Sequence, residues 1–299
     1  MIVNTNHATG VSGDMLDGWS IEVMPRTAAK VPDFRALLPA GTRVYIAHID
    51  GTPIQEMVDT ARRLHSEGFT VMPHFPARSI PDLATLKDWI DRYRSEAGVD
   101  QALVLAGGIP KPAGTFESSM DLLQTGAFQE AGYTRLHVAG HPEGNRDIDA
   151  DGGHEQTDAA LRWKEAYARD TGVDMAIITQ FAFEAQPVFD WIARLRAQDI
   201  TLPVHVGLAG PAKLQTLIKF AIACGVGPSL NVLKKRARDL SKLLVPYTPD
   251  QMLQELRDAQ ATQPANAPDQ VHFFPLGGIK TCAEWAQQQN AGRLRRVVG

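Results

Sequence analysis

Only two cysteines occur in the 299 residues, Cys224 and Cys282. A pair so far apart offers no disulfide framework and no CxxC zinc pattern, and a reducing cytoplasm is the expected compartment. Basic charge is not in excess: 30 Lys and Arg stand against 34 Asp and Glu, a formal charge of −4. A nucleic-acid surface needs the opposite sign, so no nucleic-acid partner is expected. No run reaches the ~18 apolar residues that a membrane span requires, so no membrane partner is expected either. Met1–Asp17 lacks a basic start followed by an apolar stretch, and does not read as a signal peptide. In the first expected strand Glu22 is followed by Val23-Met-Pro-Arg-Thr27, where a dinucleotide-binding sheet would carry GxGxxG.

The chain does have an ordinary globular balance, 44% hydrophobic and 21% charged. Eight short apolar runs read as strands: Trp19–Val23, Arg43–Ile49, Phe69–Phe75, Ala102–Ala106, Arg135–His141, Met175–Phe181, Leu202–Leu208 and Val271–Phe274. Helical spacing lies between them, over Ile54–His65, Asp82–Tyr93, Phe116–Phe128, Glu155–Asp170, Pro187–Ala197 and Ala212–Cys224. Asn231–Leu244 and Pro249–Ala259 form an extra helical pair before the last strand, Ala259–Asp269 reads as a linker, and Ala283–Asn290 closes the series. Strand–helix repetition of this kind implies parallel strands joined by right-handed crossovers. Eight such units predict a (β/α)8 barrel, a single catalytic domain over residues 19–299 behind a tail of residues 1–18. The rival is an open doubly wound sheet, whose phosphate fingerprint is missing.

Barrel chemistry sits at the C-terminal strand ends, and here those ends are polar. Glu22 lies between Ile21 and Val23, so the pleat sends it to the opposite face. It reads either as a general acid kept protonated by a low-dielectric pocket or as a partner for Arg26 or Lys30. Gln180 ends the sixth strand, where an amide suits a planar heterocycle or only a loop backbone. His48, His74 and His141 raise a metal-hydrolase alternative, but the first strand has no HxH pair, and no metal is expected. His137 shares a strand face with His141. Asp147, Asp149, Asp151 and Gly152 follow D-x-D-x-D-G with Asp158 in the twelfth place. The preceding element is a strand, so a solvated acidic loop capping the next helix is the preferred reading over a calcium loop. The loop from Gly107 to Gly114 contains Lys111, which suits a phosphate or merely a proline-stiffened turn.

Taken together the motifs resemble a family. Ser20-Ile-Glu22-Val-Met-Pro25-Arg-Thr27 resembles the S-F-E-F-F-P-P-[KR]-T opening of methylenetetrahydrofolate reductases. Pro73-His74 is similar to their P-H-[LF], Ala139-Gly-His-Pro142-Glu143-Gly144 to A-x-Y-P-E-[GV]-H, and Leu161-Arg-Trp-Lys164 to L-[KR]-x-K. Ile178-Thr179-Gln180-Phe181-Ala-Phe183 resembles I-T-Q-[FL]-F-F, and His272-Phe273-Phe274-Pro-Leu276 resembles H-F-Y-T-[LM]-N. The matches run in order from Ser20 to Leu276.

The resemblance implies a (β/α)8 barrel, FAD as cofactor, NAD(P)H as redox partner and a folate substrate. The implied reaction interconverts 5,10-methylenetetrahydrofolate and 5-methyltetrahydrofolate, with Glu22 as the acid and Gln180, Phe220, Thr216 and Lys280 as substrate contacts. His74, Ala106, Gly107, Gly108, His141, Asn145, Asp158 and Lys164 take the flavin-contacting places. A cytoplasmic homo-oligomer serving one-carbon metabolism and methionine biosynthesis is expected. The departures are specific: Ala106-Gly107-Gly108 stands for R-G-D, His141 for a tyrosine, Asn145 for a histidine, and Gly278 for a folate-contacting arginine. Losing a negative charge beside a flavin raises its potential. That favours the methyl-oxidising, C1-catabolic direction. A flavin-independent NAD(P)H-dependent reductase is the alternative. A non-catalytic folate binder would have no need of Glu22.

Overall fold

The computed structural model describes residues 14–224, 233 and 246–297. Eight strands form: β1 (Ser20–Val23), β2 (Arg43–Ile46), β3 (Thr70–Pro76), β4 (Gln101–Leu105), β5 (Arg135–Gly140), β6 (Asp174–Ala182), β7 (Val204–Ala209) and β8 (Gln270–Phe274). Each pairs in parallel with the next, and β8 returns to β1, closing the barrel in sequence order. The architecture is a (β/α)8 barrel, and the open-sheet rival is excluded.

The helices are α1 (Pro25–Ala28), α2 (Ile54–Ser66), α3 (Leu83–Ala97), α4 (Ser119–Gln124), α5 (Ala127–Glu130), α6 (Glu155–Thr171), α7 (Gln186–Arg196), α8 (Leu214–Ala223), α9 (Asp250–Thr262) and α10 (Ile279–Val297). Local chemistry sets their ends. Asp82 caps α3 through the Thr85 amide, and Gly98 closes it at φ 65°. The expected helix Phe116–Phe128 is instead two, because Gly126 takes φ 70° between α4 and α5. The expected linker Ala259–Asp269 is also corrected: α9 runs on to Thr262, and a 3-10 turn spans Pro264–Asn266. The last helix starts at Ile279, four residues earlier than its apolar spacing suggested, on the turn of Gly277 and Gly278. The expected helix Asn231–Leu244 lies outside the described residues apart from Leu233.

Strand alternation divides the protein into two interiors. Ile21, Val23, Val44, Ile46, Val71, Phe75, Val104 and Val138 point outward and join the helices in one large apolar core. The other face looks into the barrel. Tyr45, Met72, Leu103 and Ile178 form a small separate cluster there, surrounded by Ser20, His137, His205 and His272, all buried. Among the described residues no helix is long and apolar enough to cross a membrane.

Candidate active site

The acid side of the barrel mouth is built by β1–β3. Because Ile21 and Val23 are claimed by the outer core, Glu22 must face inward, level with Tyr45 in the β1–β2 register. His74 is the inward residue near the end of β3. Its Nε2 lies 3.3 Å from Glu22 Oε2, with the two side chains only 12% and 20% exposed. The approach brings the groups together without hydrogen-bond alignment, leaving that Nε2 unsatisfied. His48, just beyond β2, stacks on Trp89 of α3 with centroids 5.0 Å apart and planes at 17°. Burial, and then the neighbouring His74, hold His48 down at about 4, so it is a neutral imidazole near pH 7, with a buried Nδ1 that has no partner. One carboxylate and two imidazoles thus share a corner of the mouth, a proton-handling arrangement.

The opposite side carries a cation. Lys164 is buried along α6, at 6% exposure, and has no carboxylate partner among the described residues. Burial brings its ammonium down to about 8. His141, just past β5, is pushed to about 4 by burial and then by Lys164. An uncompensated ammonium beside a neutral imidazole suits an anionic group of a ligand.

Gln180 stands between these sides, at an irregularity where β6 slips against β7 between Ile178 and Phe181. The buried Thr179 hydroxyl repairs the slip. It accepts from the Gly207 amide at 2.8 Å and donates to the Gln180 carbonyl at 2.8 Å. Gln180 Oε1 accepts from the Phe181 amide at 3.1 Å, which leaves its amide nitrogen as the free end. Gly207 is required by this closeness: a Cβ there would stand 2.7 Å from both Phe274 Cε2 and the Thr179 carbonyl. Phe181, Phe183, Tyr247 and Leu217 pack α8 onto this end. Phe220, on α8, is 37% exposed. Cys224, one turn further, is exposed. Thr216 is half-buried on the same helix.

The other expected contacts separate from this centre or supply no side chain. Ala106 and Gly107 are half-buried, Gly108 is exposed, and Gly107 takes φ 90°. Their loop is fastened by Arg78, whose amide donates to the Ala106 carbonyl and whose guanidinium reaches the Ile109 and Glu117 carbonyls. Lys111 is exposed. Asp158 is committed to Arg194 of α7 at 2.9 Å and to Gln198, tying two outer helices. Asn145 Oδ1 accepts from the Asp147 amide. Lys280 is 3.8 Å from Glu284 and solvent-exposed. Glu22 lies beside His74 at 3.3 Å, in place of Arg26 or Lys30. In the acidic loop, Asp149 caps α6 by accepting from the Gln156 and Thr157 amides, and Asp158 is engaged elsewhere. Among the described residues no group of three or more His, Cys, Asp or Glu is arranged to hold a metal ion.

Sequence reasoning passed over the barrel interior. Tyr45 Oη lies 2.6 Å from His137 Nδ1, and Ser20 Oγ 2.9 Å from His272 Nδ1. His137 meets His205 edge-on at 5.1 Å, and Tyr45 meets His272 at 4.6 Å. The available signal was alternation: Ser20 and Glu22, Arg43 and Tyr45, His137 and His141 all fall on the inward pleat.

No family model matches the chain. Among solved structures, an uncharacterized Clostridium thermocellum protein that binds two copies of 5-methyl-5,6,7,8-tetrahydrofolic acid is similar at TM-score 0.55 and 12% identity, over 90% of this chain and 94% of that one. A 7,8-dihydropteroate synthase from Vibrio fischeri aligns at TM-score 0.42 and 11% identity, over 92% and 94%. A D-hydantoinase aligns at 0.34 and 15%, over 56% and 39%. At these identities the likeness to the first is one of fold, and the barrel of this chain belongs with it on that ground alone.

Proposed function

We propose that the chain binds a reduced folate at the barrel mouth and interconverts 5,10-methylenetetrahydrofolate and 5-methyltetrahydrofolate, resembling methylenetetrahydrofolate reductases. The carrying observation is the inward Glu22 beside His74 at 3.3 Å, on the rim that Gln180 and α8 complete. The binding of methyltetrahydrofolate by the Clostridium thermocellum protein of like fold supports the choice of substrate. In this reading Glu22 gives a proton to the folate nitrogen as the one-carbon bridge opens. His74 holds that carboxyl on the mouth side and returns the proton. Gln180 directs its free amide nitrogen at the pterin edge, and Phe220 offers an aromatic face.

The residues fit a flavin dinucleotide in part. Lys164 and His141 form an anion cradle suited to its diphosphate. Bound there, the flavin would supply the hydride acceptor and donor. Ala106-Gly107-Gly108 brings backbone but no charge to such a ring, and Asp158 is occupied by Arg194. The missing charge favours the methyl-oxidising direction if flavin is used. Both facts equally support the second reading, direct hydride exchange with NAD(P)H.

Glu22→Gln tests the assignment. Folate turnover should fall about 10²–10⁴-fold, the usual contribution of a positioned acid, while methyltetrahydrofolate affinity changes little. Near-normal turnover would remove Glu22 from the chemistry. The visible spectrum of the purified protein, followed by anaerobic addition of methyltetrahydrofolate, separates the two cofactor readings: a yellow protein that bleaches supports flavin, a colourless active one supports NAD(P)H.

A further inference from the structure

At the N-terminal end of the barrel, opposite the proposed folate site, lies a pocket of about 660 Å³. Chain segments Leu16–Trp19 and Pro39–Thr42 form part of its rim, and the barrel interior forms its floor. That volume is within the range of pockets that take small organic ligands and far above what one water needs.

Two arginines line its floor, Arg43 and Arg135, and Arg135 is paired with Asp174. Arg43, the inward residue at the start of β2, bonds through Nε to Gln101 Oε1 at 3.2 Å. It has no ion pair among the described residues, and burial depresses its guanidinium. The carboxylates on the walls are engaged elsewhere. Asp174 pairs with Arg135, Asp269 accepts from the Val204 amide at 2.7 Å, and Asp17 accepts from the Asp14 amide at 3.0 Å. Two imidazoles complete the floor. His137 spends Nδ1 on Tyr45. His205 is only 8% exposed and its Nδ1 is buried with no partner. Both rings line the pocket. Burial, then Arg43 and Arg135, hold His205 down at about 3, so this imidazole is a neutral hydrogen-bonding group.

We propose that this pocket is a second ligand site, for a small organic monocarboxylate whose carboxylate lies on Arg43 and whose body lies against His137, His205 and Ala176. A planar carboxylate matches the fork of a guanidinium. A single negative charge is favoured over two, because Asp17, Asp174 and Asp269 stand on the same walls and repel a dianion. The proposal does not rest on the folate reading, since the two sites lie at opposite ends of the barrel.

The test is titration calorimetry with benzoate, benzamide and inorganic phosphate on the full chain, with imidazole NMR signals as the site marker. Benzoate should bind wild-type protein and shift the His137 and His205 signals, and benzamide and phosphate should bind at least tenfold more weakly. Arg43→Gln, which keeps an amide near Gln101, should lose benzoate at least tenfold, with circular dichroism verifying its fold. If that variant does not fold, Arg43→Lys serves, with a smaller expected loss. Glu22→Gln should bind benzoate as wild type does, whatever its effect on folate. Benzamide binding as well as benzoate, phosphate binding better, no binding of benzoate, or unchanged affinity in the Arg43 variants would each overturn the proposal.

Discussion

At the scale of single residues, Lys164 is the side chain whose placement asks most for a partner. It is 6% exposed and brought down to about 8 by burial, against an ordinary 10.5. Below pH 8 both folded and unfolded chains carry the proton, so the folded state bears the whole cost of the buried charge. Between about pH 8 and 10.5 the unfolded chain is protonated and the folded one is not, so stability attributable to this residue rises with pH and the cost vanishes. Lys164→Met should therefore stabilise the protein by about 2–3 kcal/mol at pH 7. The gain should shrink toward zero by pH 10.5, as read from urea midpoints across that range. The same variant should weaken any anionic ligand held between Lys164 and His141. A Lys164→Met protein less stable than wild type at pH 7 would mean that the ammonium has a partner in solution. Lys164 was legible in the sequence only through the resemblance; its burial came from the structure.

At the scale of elements, the join between β6 and β7 links sequence to site. The strand runs and their order were readable from β-branched clusters and glycine punctuation. Boundaries slipped where caps or glycine decided them, as at Gly126 and before Ile279. The slip within Ile178–Phe181 was not legible, because it depends on which hydroxyl replaces a missing ladder bond. Thr179 does so from a site 1% exposed. Thr179→Val keeps the shape and removes the acceptor, leaving the Gly207 amide unpaired. Stability should fall by about 1–3 kcal/mol, the cost of an unsatisfied buried donor. Because Thr179 also holds the Gln180 carbonyl, methyltetrahydrofolate affinity should fall while the Glu22–His74 corner is undisturbed. Differential denaturation and a binding titration on the same sample check both halves. Loss of stability with intact folate binding would separate the bulge from the proposed site.

At the scale of the whole molecule, a barrel usually fills its interior with branched apolar residues, and this one keeps histidines there beside a small apolar cluster. His137, His205 and His272 lie inside the barrel, with His48 and His141 near its mouth. Burial is the first cause of depression in all five. This polar interior was half-visible in the sequence as inward-pleat alternation. The Tyr45–His137 and Ser20–His272 contacts were not, since they join strands far apart in the chain. The consequence is global. An unfolded histidine takes up a proton near pH 6.5, whereas the folded positions resist it down to about 4 at His48 and His141 and about 3 at His205. Across that window the unfolded chain binds more protons, so stability must fall as pH falls. Each such group removes up to ~1.4 kcal/mol per pH unit, and several acting together rival the ~5–15 kcal/mol that holds a domain folded. Cooperative acid unfolding is expected between pH 6 and 4, beginning above the range in which ordinary carboxylates titrate. Unfolding at pH 5.5 should take up at least three protons, and unfolding at pH 8 none from these groups, as measured by calorimetry in buffers of different ionisation enthalpy. Replacing His205 by Gln should move the acid midpoint downward. A protein that stays folded below pH 3.5 would show that the interior histidines accept protons in place, with water or a bound anion entering the barrel to receive them.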